Sequence, residues 1–315
     1  KGIGPMLCLR NGRGTLAYRL CRVIISWFEL NPKSLEVRCL VLFACFAWLP
    51  MVTWAENLSP EEWVDKAQGA AGRGDLAMAL KYLDKAVDAA PDDTSHRLRR
   101  ATVRDRIRQH TNAIQDCDEV LRQNPENAFA IQLRGGAKFK SGDVKGSIQD
   151  FDRVIKLDPR REPSHWQRGI SYYYARQYVQ GARQFELYQT YDGGDVENVV
   201  WRFLCQARTE GVAAARKDIL VLESADPRIP MEEVYGLFQG KLTIEDVLKA
   251  AQRGNPDERT LNRQLFYAHL YVGLYCEATE QPKLAVYHLR EAERHPISHY
   301  MWDVAHVHVQ QLSSP

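Results

Sequence analysis

The sequence predicts an all-α protein, a solenoid of helical hairpins wound into a right-handed superhelix, with degenerate hairpins toward the C-terminus. Three observations predict it. Pro91, Pro125 and Pro159 stand 34 residues apart, and each closes a similar phrase: "ALKYLDKAVDAAPDD", "AIQDCDEVLRQNPEN" and "SIQDFDRVIKLDPRR". Small residues, among them Ala79, Ala113, Gly135 and Gly169, recur where the two helices of a hairpin cross and large side chains would hold the backbones apart. Proline follows each second helix because it cannot continue one, and since one hairpin cannot bury its own apolar face, such units must stack.

Residues 1–32 begin without Met and precede a secretory-type signal, so they are assigned no function. Residues 33–55 carry Lys33 and Arg38, an uncharged apolar run from Cys39 to Leu49, then Thr53 and Ala55 at the small positions before a cleavage site. That run is too short to span a bilayer comfortably. Cleavage near Ala55 predicts an extracytoplasmic protein starting at Glu56; the alternative is a buried helix opening the domain.

Residues 60–193 read as four tetratricopeptide repeats, the class whose period is 34 and whose signature places Trp, Leu-Gly and Tyr on a first helix, then Ala, Phe and Pro on a second. Counted from Pro60, the first repeat has Trp63, Gly74, Ala79, Leu83, Ala86 and Pro91; the third, from Ala128, has Gly135, Gly142, Phe151 and Pro159; the fourth, from Glu162, has Gly169, Tyr172, Ala182 and Phe185. From 194 to 265 the period blurs, but helical phrases persist, including "DVENVVWRFLCQARTE" and "GVAAARKDILVLES", and Thr243 with Asp246 reads as a helix N-cap with an acidic first turn. A closing repeat over 266–312 brings Gly273, Ala285, Leu289 and Ala292 into register.

The stretch "HRLRRATVRDRIRQH", with six arginines, first suggests a nucleic-acid helix. Composition argues against it: Lys+Arg 42 against Asp+Glu 40 leaves a formal charge of +2, not the excess that neutralises many phosphates. In register, Arg97, Arg100 and Arg104 take first-helix positions, with stems packing and heads reaching Asp116, Asp118 or Glu119 of the partner helix. Arg99, Arg106 and Arg108 face elsewhere, and Arg106 and Arg108 are candidates for an acidic protein partner. Nucleic acid is the weakest reading, because no aromatic residues interleave the cluster.

The second, fifth, ninth and twelfth residues of a tetratricopeptide repeat face the concave groove. These are Phe129, Gln132, Gly136 and Phe139 in repeat three, and Pro163, Trp166, Ile170 and Tyr173 in repeat four. Phe129, Gln132, Phe139, Trp166, Ile170 and Tyr173 are therefore the expected partner-binding residues, with Trp166, Ile170 and Tyr173 forming one stripe on one helix. The competing expectation is that the C-terminal helices fold back and make this stripe core, because large exposed aromatic patches are rare.

The order of these units, with "VVWRFLCQA", "VYGLFQGKLTIEDVL" and "FYAHLYVGLYCEATEQPKLAVYHLREA" after the repeats, resembles the NlpI-type envelope lipoproteins over roughly residues 60 to 312. The resemblance implies a non-enzymatic adaptor that holds proteases and cell-wall hydrolases together at a bacterial envelope, anchored through a lipidated cysteine. "LFAC" ending at Cys45 has Phe43 where the lipobox takes a small or branched residue, so a soluble extracytoplasmic chain is expected. The partner is expected to be a protein or peptide, with no nucleic acid and no stable membrane span; a homodimer and a self-associating structural role are alternatives. The remaining cysteines, Cys117, Cys205 and Cys276, have no CxxC or metal spacing. His295, His299, His306 and His308 form no HExxH. No metal, cofactor or catalytic residue is expected; an enzyme with its site near Trp201, Cys205 and His269 is the least favoured reading.

Overall fold

The computed structural model describes residues 58–313, and every statement below concerns these residues; the expected signal segment and Cys45 lie outside them. Fifteen α-helices and no strands occur among the described residues. They run α1 (Pro60–Gly72), α2 (Leu76–Ala89), α3 (Thr94–Arg106), α4 (His110–Gln123), α5 (Ala128–Lys140), α6 (Val144–Leu157), α7 (Trp166–Tyr174), α8 (Tyr178–Tyr188), α9 (Val196–Glu210), α10 (Val212–Lys217), α11 (Met231–Phe238), α12 (Ile244–Ala250), α13 (Glu258–Ala278), α14 (Pro282–Glu293) and α15 (Tyr300–Ser313). Successive helices from α1 to α8 pack as antiparallel hairpins, as do α13 and α14.

The helix starts are written in side chains that satisfy orphan N–H groups. Ser59 and Glu62 make a reciprocal capping box on α1, Asp75 accepts from Met78 N at 2.9 Å, and Asn127 accepts from Ala130 N at 2.9 Å. Thr243 and Asp246 form a second capping box on α12, as the sequence indicates. Inside the hairpins the small residues admit large neighbours: a Cβ built at Gly135 would fall 2.8 Å from the Phe151 ring, one at Gly169 2.7 Å from Phe185, and one at Gly273 2.7 Å from Leu289. Phe151, Phe185 and Leu289 are all buried, so these crossings are where each hairpin locks.

Helix α9 has no solvent face over its first eleven residues, Val196 to Gln206. It is the axis against which α8, α10, α11 and α13 pack. One expected helical phrase is corrected. In "GVAAARKDILVLES" only Val212–Lys217 is helical, and the chain then runs irregularly to Pro230. Its carbonyls are taken by side chains rather than by a helical ladder: Tyr235 Oη donates to Leu220 O at 3.1 Å and Gln189 Nε2 to Val221 O at 3.0 Å, while Pro227 and Pro230 bar helix downstream.

Candidate functional site

The arginine helix divides only in part as the register implies, since Arg97 donates to the Pro91 carbonyl at 3.0 Å and not to an acid of α4. Arg100 and Arg104 straddle the buried Asp116, with Arg100 Nη2 at 2.7 Å and Arg104 Nη1 at 2.8 Å, and both also reach Asp84 of the preceding hairpin. One carboxylate thus ties α3 to α4, and its neighbour ties α3 to α2. Asp118 and Glu119, the other expected acceptors, pair instead with Arg134 and Arg122. Arg99 and Arg106, seven residues apart on α3, are exposed and outside the Asp84–Asp116 network.

The expected aromatic stripe is covered by the chain itself, which corrects its assignment as partner-facing. Tyr300, opening α15, stacks on Phe139 at 5.5 Å and meets the Trp166 ring edge-on at 5.2 Å. Tyr173 lies edge-to-face on Trp201 at 5.3 Å, and Tyr174 hydrogen-bonds to His308 of α15 at 2.9 Å. Phe139, Ile170 and Tyr173 are consequently buried and Trp166 is half-buried. Burial pushes the Tyr174 hydroxyl well above its ordinary value, with the Tyr173 hydroxyl next to it. Gln132 is engaged as well: it donates to Gln167 at 2.6 Å and accepts from His165 Nε2 at 2.9 Å.

A charged node fixes α15 in this position. Asp303 lies 3.8 Å from Lys140 and 3.7 Å from Arg108, while Lys140 also reaches Asp105 at 2.7 Å, and Asp105 in turn meets His110 at 2.9 Å. Burial raises the Asp303 carboxyl above its usual value even with Lys140, His110 and Arg108 beside it. Arg108 further lays its guanidinium over the Trp302 ring at 3.2 Å. Arg108 therefore holds the C-terminal helix and is not free for an acidic partner, again a correction. The aromatic pair Tyr300 and Trp302 with the acidic Asp303, opposite a basic rim, was the signal in the sequence that could have announced this docking.

What stays open is the other end of the groove. Val64, Ala67, Gln68, Ala71, Leu83, Leu98, Arg99, Thr102, Val103 and Phe129 line an almost wholly apolar cavity of about 290 Å³. Phe129 is 57% exposed at its edge, and three first helices (α1, α3 and α5) contribute to it. Phe129 alone of the six expected groove residues faces solvent. Leu98 and Thr102 of α3 line it from the fifth and ninth positions of the second repeat, counted from Thr94.

Cys205 is fully buried against Gly181, and burial raises its thiol far above the ordinary range; among the described residues no histidine hydrogen-bonds to it. A thiolate nucleophile needs the opposite surroundings. Cys117, also buried, is pushed up to about 12. Among the described residues no group of three or more His, Cys, Asp or Glu is placed to hold a metal ion, and no helix is long and apolar enough to cross a membrane.

A stack of hairpins with this period, these Gly–aromatic crossings and an inner groove built from first helices defines a tetratricopeptide-repeat protein. No protein-family model matches the chain. Its fold is shared by a tetratricopeptide repeat protein of Parabacteroides merdae, with a TM-score of 0.54 and 14% identity over 81% of this chain and 99% of that one. In sequence it resembles the lipoprotein NlpI homolog of Haemophilus influenzae, 22% identical over 178 residues that make up 54% of this chain and 57% of the relative. It is also similar to the protein CTR9 homolog of Arabidopsis thaliana, 31% identical over 101 residues, 32% of this chain and 9% of that protein. The chain thus spans less than two thirds of the length of these curated relatives.

Proposed function

We propose that this protein is an interaction scaffold of the bacterial cell envelope that receives an extended or helical segment of a partner protein on the open N-terminal stretch of its groove, formed by α1, α3 and α5. The observation that carries this reading is the apolar cavity between Val64, Leu98 and Phe129, left open while α15 covers Phe139 of α5 and packs on Trp166 of α7. Its rim is basic, with Arg99 at the cavity and Arg106 two turns along the same face of α3. The chemistry that fits is one large apolar side chain seated in the cavity with acidic residues flanking it. The envelope location is supported by the likeness to a protein named as a lipoprotein, and by the sequence of residues 33–55, which has the layout of an export signal.

Selection of peptides from a displayed random library against the full chain tests this. Enriched peptides should combine a large apolar residue with Asp or Glu, and their binding should weaken roughly tenfold or more in Phe129→Ala and in an Arg99→Glu, Arg106→Glu double variant. Failure to enrich any sequence, or enriched peptides that bind both variants as they bind the native chain, would contradict the assignment.

A further inference from the structure

A second concavity lies away from the open end of the groove, where the N-terminus of α9 meets the irregular segment 218–230. It has a volume of about 400 Å³. Trp166 from α7, Phe185 and Tyr188 from α8, and Trp201 from α9 line it, together with Ile170, His299 and Met301. Four acids, Asp192, Asp195, Glu197 and Asp226, line it as well, and among the described residues Arg228 is the one Lys or Arg that does. The exposed Asp192, Ser224, Ala225 and Pro227 form its mouth.

Arg228 is already spent on the acids. Its Nη2 reaches Asp195 at 2.6 Å and Asp226 at 2.5 Å, its Nε donates to Asp226 at 2.9 Å, and its Nη1 donates to Glu197. One guanidinium therefore serves three carboxylates, with Asp192 as a fourth at the mouth, and the cavity wall keeps an excess of negative charge. The perturbation of the acids follows from this: burial, then the adjacent Glu197, raises the Asp195 carboxyl to about 6 even with Arg228 against it. The acids are not arranged around a metal, and the aromatic walls are what a hydrated metal ion does not use but an organic cation does.

We propose that this cavity binds an aliphatic ammonium group, with Trp166 and Tyr188 flanking the cation and Asp192 and Asp195 countering its charge. A free aliphatic amine and a lysine side chain of a partner share this chemistry, and the cavity is large enough for either. The site stands apart from the open groove between α1, α3 and α5, so it does not depend on the partner segment assigned there.

Titration calorimetry of the full chain at constant ionic strength tests it with four probes: cadaverine, N-acetyl-lysine methylamide, 1-pentanol and Mg²⁺. One of the two amines should bind saturably with one site per chain, and which of them does so identifies the source of the cation. Asp192→Asn, at the exposed mouth, and Trp166→Leu, in the wall, should each weaken that binding, the latter roughly tenfold, the scale of a partly desolvated cation–π contact. Asp192 sits on a surface turn, so its variant reports even if Trp166→Leu loosens α15. The proposal is overturned if neither amine saturates, if pentanol or Mg²⁺ reproduces the effect, or if the Asp192→Asn chain binds as the native one does.

Discussion

Replacing Gly169 by alanine sets two opposed effects against each other, and the structure decides which wins. Alanine favours a helix interior over glycine by about 0.8–1.0 kcal/mol, and on an open helix that is the whole effect. Here the new Cβ would lie 2.7, 2.9 and 3.0 Å from three carbons of the Phe185 ring, where ordinary contacts run to about 3.5–4.0 Å. Phe185 is 1% exposed and stacks on Trp201 at 6.5 Å, so it has nowhere to retreat without moving α8 away from α7 or displacing a second buried ring. Overpacking of this kind costs about 1–3 kcal/mol, and after the gain in propensity a net loss of up to about 2 kcal/mol remains. Gly72, at the exposed end of α1, has nothing within 4 Å of its built Cβ, so the same substitution there should be neutral or stabilise by up to about 0.5 kcal/mol. Urea unfolding followed by circular dichroism, with equal m-values, measures both. Equal midpoints for Gly169→Ala and Gly72→Ala would refute the claim that close helix crossing at the small residues holds the hairpins.

Three further outcomes are expected. Asp116→Ala strands Arg100 and Arg104 on the half-exposed Asp84 alone and should cost about 2–3 kcal/mol, whereas Arg106→Glu should change stability by less than about 0.5 kcal/mol; equal effects in urea unfolding would mean the buried carboxylate does not organise α3. His165 is buried against Phe151, and that burial lowers its pKa to about 4 from 6.5, so the unfolded chain binds the proton more readily than the folded one. Its stabilising effect is therefore complete above pH 6.5 and lost as pH falls toward 4, by roughly 3 kcal/mol. Asp195, raised to about 6, works in the opposite sense between about pH 6 and 4; the quantity to measure is accordingly the pH dependence of the native chain relative to His165→Gln, and parallel curves would contradict the assignment. Tyr300→Ala should leave the α1–α6 hairpins folded while raising hydrogen exchange in α15 and α7, and unchanged exchange in both would mean that the Phe139–Tyr300–Trp166 stack does not hold the C-terminal helix.

The repeat was legible because its period is carried by residues with one structural use: Pro after a helix, Gly or Ala at a crossing, Phe or Leu facing the gap. Each of those choices is dictated locally, so Trp63, Gly135, Phe151 and Phe185 could be placed before any coordinates. The open or covered state of the groove was not legible. Trp166, Ile170 and Tyr173 are the same stripe whether a partner or α15 lies on it, and the contact that decides the matter joins residues more than 130 apart, such as Tyr174 and His308. The expectation of helix over 218–224 fails for a related reason. Tertiary hydrogen bonds from Gln189 and Tyr235 claim the carbonyls of Val221 and Leu220. The acid-lined cavity at α9 draws on α7, α8, α9 and that segment together, and "DGGDVEN" alone gave only a cluster of carboxylates around two glycines.

The central claim is that the groove works at its N-terminal end while α15 covers the stripe on α5 and α7. Hydrogen-exchange mass spectrometry of the full chain, with and without the strongest peptide from the library selection, tests it most directly. Added protection is predicted in α1, α3 and the first turn of α5, around Val64, Leu98 and Phe129, with α7 and α15 unchanged. Protection confined to α7, or a gain in exchange of α15 as the peptide takes its place on Phe139 and Trp166, would contradict the account.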